Sequence, residues 1–140
     1  MSAQYVEICK AAHEAFNRRD FEAIVSMMAE DVTYHDRARG LMLRGRDEYR
    51  RNAEEWVAGF SNADISQARY IDAGNIVVAQ FIGGGHNDGS FGQLVATGKP
   101  ASFDYCEIIR FGEHGKVVAV DAYYDQLSIL KQLGHLAASA

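Results

Sequence analysis

Two carboxylic acids stand at strand positions where apolar side chains are expected. In the stretch VTYHDR, strand alternation places Asp36 on the same side as Val32 and Tyr34. In the segment 101–111, Glu107 is the only charged residue on its face. Burial disfavours the charged form of a carboxyl group, so acids in apolar surroundings are suited to taking up and returning protons. One site can use a carboxylate as a general base and a protonated carboxyl as a donor to an oxyanion.

Each acid taken alone also has a structural explanation. A carboxylate in an apolar stripe can be paired with a cation in the core, can lie on a strand end that reaches water, or can face a dimer partner. The two acids together favour a functional explanation, because ionisable groups that converge in a cavity are typical of an active site. The pattern therefore predicts that Asp36 and Glu107 share one apolar pocket.

Helical periodicity predicts two helices before the first strand, a third helix after it and a fourth at the C-terminus. Asp20 is the expected N-cap of the second helix, and the third helix follows Gly45. Asp125 is the expected N-cap of the last helix, which gives that acid a structural role. The helical faces comprise Tyr5, Ile8, Cys9, Ala12 and Phe16, then Phe21, Ile24, Val25 and Met28, then Tyr49, Ala53, Trp56, Val57 and Phe60, and finally Leu127, Leu130 and Leu133.

Four strands follow the third helix, over roughly residues 64–72, 76–86, 101–111 and 117–124. Helices segregated from a mostly antiparallel sheet are typical of an α+β domain, and long strands of this kind curve. A curved sheet wrapped around the N-terminal helices encloses a pocket. Because no repeat or linker interrupts the chain, we expect a single domain over 1–140.

Aromatic, aliphatic and amide side chains are predicted to line this pocket, although each aromatic residue taken alone is more often plain core. Gln80 lies between Val78 and Ile82 and is expected to orient a ligand through hydrogen bonds. The predicted lining residues are Tyr34, Trp56, Phe60, Gln80, Ile82, Phe103, Val120 and Tyr124.

The charge balance argues against nucleic-acid binding. The formal net charge is −5, whereas binding to phosphates requires a basic face. Arginines concentrated in the range 37–51 are a local exception. They form either a solvated face or a cationic rim that attracts an anionic ligand.

Cysteine and histidine spacing predicts neither a metal site nor a redox site. Cys9 and Cys106 lie far apart in apolar patterns and are expected to be buried thiols in a reducing cytoplasm. The 5 histidines show no paired ligand spacing. The sequence contains no basic leader followed by an apolar stretch and no run near the ~18 apolar residues of a membrane span. We therefore expect a soluble cytoplasmic protein that binds no membrane.

Four stretches of the chain resemble the SnoaL-like polyketide cyclases and the ketosteroid isomerases. They are AFNRRDFEAIVSMMAEDVTYHDRARGLMLRGRDEY, the turn TGK at Thr97–Lys99, IIRFGEHGKVVAVDAYYDQ and the closing LKQLG. The resemblance covers nearly the whole chain and implies a cone-shaped α+β fold around one deep pocket. These are scaffold residues, so the resemblance is specific for the fold and much less so for the reaction.

The resemblance implies a role for each acid. Asp36 matches the general base of the ketosteroid isomerases, and Glu107 matches the protonated acid of their oxyanion hole. The second oxyanion donor in that family is a tyrosine of the first helix, which is Ala12 here. The tyrosines that could supply the missing hydroxyl are Tyr34, Tyr105 and Tyr124, which adds Tyr105 to the candidate site.

Two further comparisons follow from the resemblance. Limonene epoxide hydrolases share the fold and are similar at Tyr34, but Ala122 stands where their key base would be and no arginine occupies 76–86. Epoxide hydrolysis is therefore disfavoured. The cyclase pattern usually carries a histidine in its glycine-rich bend, and His86 lies near that place, which makes it a further candidate for ligand binding.

The sequence thus predicts a cofactor-independent enzyme acting on a hydrophobic carbonyl compound. Asp36 removes a carbon-bound proton, and Glu107 or an adjacent tyrosine stabilises the enolate, for isomerisation or aldol-type cyclisation. A noncatalytic small-molecule binding protein and an assembly domain remain alternatives, because this fold hosts many functions. As in the resembled families, we expect a homodimer, across the sheet face that bears Asp121 and Tyr123.

Overall fold

A computed structural model describes residues 2–136, in which four helices and six strands follow one another along the chain. The elements are α1 (Ser2–Asn17), α2 (Phe21–Ser26), β1 (Met28–Asp36), β2 (Leu41–Arg44), α3 (Gly45–Gly59), β3 (Asp64–Ala73), β4 (Ile76–His86), β5 (Pro100–Phe111), β6 (Val117–Tyr124) and α4 (Gln126–Leu133). None of these helices is long and apolar enough to cross a bilayer.

The six strands form one sheet in the order β2-β1-β6-β5-β4-β3. Only the β1–β6 pair is parallel, and the other neighbours in this sheet are antiparallel. The predicted α+β class and the mostly antiparallel sheet are confirmed, and the four predicted strands begin and end within one residue of the observed ones. The short edge strand β2 was not predicted, because four residues are too few to show an alternation.

The predicted caps explain where two helices begin. The Asp20 carboxylate accepts a hydrogen bond from the backbone N–H of Ala23, and the Asp125 carboxylate accepts one from Ser128. Helix α4 ends at Gly134, whose φ of 84° is a left-handed conformation that glycine adopts without a steric penalty. Asp20 and Asp125 therefore have structural roles, as expected.

Two predicted helical faces differ from the observed ones. Met28 begins strand β1 instead of ending α2, because its backbone pairs with Val117 of β6. In α4 the buried side chains are Ile129 and Leu133, four residues apart on one face, whereas Leu127 is 53% exposed. Leu127 precedes Ile129 by two residues, which turns its side chain about 200° around the helix and out to solvent.

Strand alternation determines which side chains reach the interior. Along β5 the buried residues are Ala101, Tyr105, Ile109 and Phe111, and Glu107 shares their face. Register shifts between Ser66 and Arg69 on β3, and between Arg110 and Phe111 where β5 meets β6, bend the sheet. Helices α1 and α3 pack against the inner face and close the space that the curved sheet leaves open.

Candidate functional site

A cavity of about 110 Å³ lies between the inner face of the sheet and helices α1, α2 and α3. Its wall is mainly apolar and aromatic, which is typical of a small-molecule site. An engineered apolar cavity of about 150 Å³ holds one benzene molecule, so this space suits a ligand of one small ring. The residues used below that line it are Cys9, His13, Tyr34, Tyr49, Asn52, Trp56, Phe81, Phe103, Tyr105, Glu107 and Val120.

Glu107 provides a partly buried carboxyl group of this wall. Its side chain is 12% exposed, and Oε1 lies 2.8 Å from Nε2 of His13, whose side chain is 11% exposed. The other ring nitrogen of His13, Nδ1, lies 2.7 Å from the hydroxyl of Tyr70 on β3. The second acid of the wall among residues 2–136 is Asp64, which is exposed. An acid–imidazole–phenol chain therefore begins inside the cavity.

Two phenols face the same cavity and are hydrogen-bonded to each other. The hydroxyls of Tyr34 and Tyr105 are 2.5 Å apart, and both residues are buried. The ring of Tyr105 is stacked between Phe81 and Tyr124, with ring centroids 4.9 and 4.8 Å away, so the hydroxyl is held in place. Burial raises the pKa of both phenols well above the ordinary value, which keeps them neutral and able to donate hydrogen bonds.

Burial also keeps other titratable groups around the cavity uncharged. The Cys9 thiol is buried, which raises its pKa to about 12, and the nearby Glu107 carboxylate adds to that shift. Burial and the neighbouring Cys9 and Glu107 raise the pKa of Tyr70 to about 12. Tyr49, whose ring meets Tyr34 edge-on at 5.4 Å, also has a raised pKa because it is buried.

Asp36 does not belong to the cavity wall, and the expectation that both acids share it is wrong. Its side chain is 0% exposed, and Oδ1 accepts a hydrogen bond from the backbone N–H of Arg39 at 2.9 Å. Oδ2 accepts from Nε of Arg39 at 2.7 Å and from the hydroxyl of Tyr124 at 2.6 Å. The turn after β1 brings Arg39 back onto the acid three residues earlier, so Asp36 is neutralised by a cation rather than presented to a ligand.

Arg39 extends this ion pair into a cluster, called the Arg39 cluster below, that consists of Asp36, Arg39, Asn52, Glu55 and Tyr124. Its guanidinium donates to Glu55 at 2.7 Å and to Asn52 at 3.1 Å, and it lies 4.8 Å from the ring of Phe91. Burial lowers the pKa of Arg39, but hydrogen bonds to Glu55 and Asp36 outweigh that effect and raise it overall. Arg39 is thus a permanent cation behind the cavity wall.

The structure brings five of the predicted lining residues to the cavity, and they are Tyr34, Trp56, Phe103, Tyr105 and Val120. Two others lie one layer further out. Phe60 is buried against Trp56 and Phe91, and Tyr124 stacks behind Tyr105. These two residues support the wall without being part of it.

The structure does not place Gln80, Ile82 and His86 on the wall of this cavity, contrary to the expectation from the sequence. In β4 the buried residues are Val77, Ala79, Phe81 and Gly83, so the even-numbered side chains point to the outer face of the sheet. Gln80 accepts a hydrogen bond from Arg69 there, and His86 lies at the exposed strand end beside Asn62. Both faces of β4 are largely apolar, so alternation alone did not distinguish the inner one.

Sequence reasoning missed His13, Tyr70 and Arg39. For His13 a signal existed, because it follows Cys9 by four residues and precedes Phe16 by three, which places it on the buried face of α1. For Tyr70 no comparable signal exists, since its contact with His13 joins residues 57 positions apart. Arg39 belongs to the arginine-rich segment, where a buried arginine looks the same as a solvated one.

Asp121 and Tyr123 lie on the outer face of the sheet. Asp121 accepts a hydrogen bond from Nε of Arg37 at 2.9 Å and forms an ion pair with the same guanidinium, and Tyr123 is 44% exposed. The homodimer across this face stays a prediction.

Comparison with known proteins identifies the family. A family model for the SnoaL-like polyketide cyclases matches residues 6–133. The chain therefore belongs to the SnoaL-like polyketide cyclase family, as the resemblance of its sequence indicated.

Solved structures with low sequence identity share the fold. A SnoaL-like polyketide cyclase assigned by similarity in Jannaschia sp. CCS1 has a TM-score of 0.88 at 15% identity, over 97% of this chain and 95% of that one. IdmH from Streptomyces antibioticus, a proposed polyketide cyclase, has a TM-score of 0.79 at 21% identity, over 94% of this chain and 99% of that one. A protein from Catenulispora acidiphila DSM 44928 with a ketosteroid isomerase-like fold has a TM-score of 0.78 at 24% identity, over 91% of this chain and 92% of that one.

Proposed function

We propose that the protein catalyses proton transfer at the carbon next to a carbonyl group in a small hydrophobic ligand, without a cofactor. Glu107 takes the proton and returns it, and the Tyr34–Tyr105 pair donates a hydrogen bond to the enolate oxygen. The product is an isomer or, where the enolate meets a second carbonyl of the same molecule, a new ring. This proposal keeps the predicted enolate chemistry and transfers the role of the base from Asp36 to Glu107.

The proposal is carried by one observation, which is that a mainly apolar cavity brings together a partly buried carboxyl group and two neutral phenols. Removing a proton next to a carbonyl requires a base on the carbon side and a donor on the oxygen side. Glu107 can serve as the base because one of its oxygens is bonded to His13 and the carboxyl has no arginine or lysine partner within residues 2–136.

The phenol pair is suited to stabilise the enolate because it is preorganised. Two hydroxyls that already share a hydrogen bond cannot both donate to each other, so one O–H remains to be directed at a ligand. The raised pKa of each phenol keeps that proton in place over the whole neutral range. Donors fixed in a mainly apolar site act more strongly on a developing charge than donors in solution.

The family and the fold support the same chemistry at a coarser level. An aldol-type cyclase closes a ring between a carbon next to one carbonyl group and the carbon of another, and the chain belongs to a family named for polyketide cyclisation. The Catenulispora relative was solved in complex with trimethylamine, so this fold can hold a ligand of a few heavy atoms. A noncatalytic binding protein remains the alternative from another class, since it would use the same cavity.

The test uses cyclohexanone, a single-ring ketone of the size the cavity suits. We expect the purified protein to exchange the ring protons next to the carbonyl for deuterium in heavy water, followed by NMR. Glu107→Gln should lower the exchange rate by about 10²-fold or more, because the variant lacks the base. Tyr34→Phe should lower it by about tenfold or more, because one donor is lost. Asp36→Asn should keep the rate of the folded protein within a few-fold.

Binding is measured in the same samples through Trp56, the 1 tryptophan of the chain, which lines the cavity. Cyclohexanone should quench its fluorescence with similar affinity in the wild type and in Glu107→Gln. If Asp36→Asn no longer exchanged the cyclohexanone protons while Glu107→Gln still did, Asp36 would be the base instead. Saturable quenching without exchange by the wild type would favour the noncatalytic binding protein.

A further inference from the structure

A chain of hydrogen bonds leads from the cavity to the edge of the sheet. Glu107 on β5 contacts Nε2 of His13 on α1 at 2.8 Å, and Nδ1 of the same ring contacts the hydroxyl of Tyr70 on β3 at 2.7 Å. Both distances are those of well-formed hydrogen bonds. The imidazole therefore joins a carboxyl in the interior to a phenol on another strand, and each ring nitrogen serves one of them.

Two members of this chain are largely shielded from solvent. The side chains of Glu107 and His13 are 12% and 11% exposed, whereas Tyr70 is half-buried. Tyr70 lies on β3, the edge strand of the sheet, next to the exposed residues Arg69 and Ile71. The chain thus connects the cavity with a half-buried phenol on the edge strand.

The imidazole is held in a fixed orientation. The ring of Phe81 meets the His13 ring edge-on at 4.8 Å, and the Tyr70 ring lies at 5.5 Å on another strand. Because both nitrogens are hydrogen-bonded, rotation of the ring would break two bonds at once. A neutral imidazole in this position accepts a proton at one nitrogen and gives one up at the other.

We propose that His13 and Tyr70 form a proton relay that exchanges the proton held by Glu107 with solvent at the β3 edge. This inference rests on the proposed function, because it concerns what happens to the proton after Glu107 has removed it from the ligand. Burial raises the pKa of Tyr70 to about 12, so at neutral pH its hydroxyl carries a proton to pass on.

The relay leaves each of its members with the same number of protons, except Glu107. At the start, the Glu107 carboxyl donates to Nε2, the Nδ1–H group donates to the Tyr70 oxygen, and the Tyr70 hydroxyl donates outward. The carboxyl proton moves to Nε2, the Nδ1 proton moves to the Tyr70 oxygen, and the original Tyr70 proton leaves to water. At the end, Glu107 is a carboxylate, and His13 and Tyr70 are neutral with their hydrogen bonds reversed.

The experiment follows a label through one turnover. Cyclohex-3-enone, deuterated at the carbon between its carbonyl and its double bond, is converted to cyclohex-2-enone when a base moves a proton from that carbon to the far end of the double bond. Both hydrogens of that carbon are deuterium, and one of them stays there, so a second deuterium in the product measures direct return by Glu107 and its loss measures exchange with solvent. Both are read by mass spectrometry in the same sample, so the retained fraction does not depend on how much protein is folded.

The relay predicts that the wild type loses most of the deuterium. Tyr70→Phe should raise the ratio of retained to lost deuterium about fivefold, the factor expected from removing one hydrogen-bonded partner. His13→Gln should do the same, because an amide has no second nitrogen to release a proton. The double variant should match either single variant, since the chain is already broken.

Tyr5→Phe is the matched control, because it removes a hydroxyl from a half-buried tyrosine that stacks on Phe111 at 4.2 Å and has no part in the chain. It should retain as little deuterium as the wild type. A Tyr70→Phe variant that is slower but retains no more label would overturn the relay and leave the proposed function standing. If the wild type does not isomerise the enone and Glu107→Gln still exchanges cyclohexanone protons, the proposed function itself fails.

Discussion

Asp36 and Glu107 occupy similar positions in the strand pattern but lie in opposite electrostatic environments. Asp36 is fully buried, and its oxygens accept hydrogen bonds from Arg39 and Tyr124. Glu107 lies on the wall of a mainly apolar cavity and contacts His13. One acid is therefore paired with a permanent cation, and the other faces a ring that can take up or release a proton.

The difference teaches that the position of an acid on an apolar face does not reveal its role. Both acids are removed from water, but the charge of Asp36 is compensated by an arginine three residues away in the chain. The contact of Glu107 comes from a helix 94 residues earlier. A buried carboxylate with a fixed cation stabilises one arrangement of the chain, whereas one beside an imidazole remains available for proton transfer.

The largest effect on stability is expected from Asp36→Asn. This variant leaves Arg39 buried with Glu55 as its remaining carboxylate partner. We expect the free energy of unfolding to fall by about 3 kcal/mol, because breaking a buried ion pair leaves an uncompensated charge. Urea denaturation followed by circular dichroism measures it.

Asp121→Asn is the control for this prediction, because it breaks an aspartate–arginine pair on the outer face. That pair is partly exposed, so its loss should cost about 1 kcal/mol or less. Equal effects of the two variants would show that the Arg39 cluster is no stronger than a surface ion pair.

The second prediction concerns the cavity wall alone, and it uses the pH dependence of the free energy of unfolding. The Cys9 thiol on the cavity wall has an ordinary value of 9.0, and burial raises its pKa to about 12. The thiol of the unfolded chain ionises first, so its contribution to stability is complete below pH 9 and is lost as the pH rises towards 12. The free energy of unfolding should fall by about 1.4 kcal/mol per pH unit from this group.

Denaturation curves at several values between pH 8 and about 11 measure that slope. Cys9→Ala should remove this part of the fall in unfolding free energy at alkaline pH, whether or not the variant is less stable at neutral pH. Cys106→Ala, which removes a half-buried thiol from β5, should change the slope less. If Cys9→Ala has the same slope as the wild type, the thiol is not shielded and the cavity is wetter than the structure indicates.

A smaller effect is expected from Tyr124→Phe, which removes the hydroxyl that donates to Asp36. The loss of a hydrogen bond to a charged group should cost about 2 kcal/mol of unfolding free energy. Tyr123→Phe, on the exposed neighbour, should cost almost nothing. A Tyr124→Phe variant as stable as the wild type would mean that Arg39 alone satisfies the acid.

The smallest effect is expected from Glu55→Gln. Its side chain is 39% exposed, so the pair with Arg39 is partly screened by water. We expect a loss of about 0.5 kcal/mol or less, which decreases further when salt is added. A loss as large as that of Asp36→Asn would show that Glu55 rather than Asp36 is the main partner of Arg39.

The fold could be predicted in nearly all its elements because the signals are local. Helical and strand periodicity, and the caps at Asp20 and Asp125, depend on residues a few positions apart. Which face of β5 points inward was predicted correctly, since one face of that strand carries more polar side chains than the other. In β4 both faces are largely apolar, and there the prediction for Gln80 and Ile82 was wrong.

The sequence by itself determined the α+β class and the inward direction of both acids, because these follow from neighbouring residues and a two-residue repeat. It also determined the family, because stretches along nearly the whole chain resemble that family. Only the tertiary structure decided which side chains each acid contacts. The turn after β1 folds Arg39 over Asp36, and the packing of α1 and β3 brings His13 and Tyr70 to Glu107. These contacts depend on how elements pack in three dimensions, and the free energy of a buried charge is set by those partners rather than by its place in a pattern.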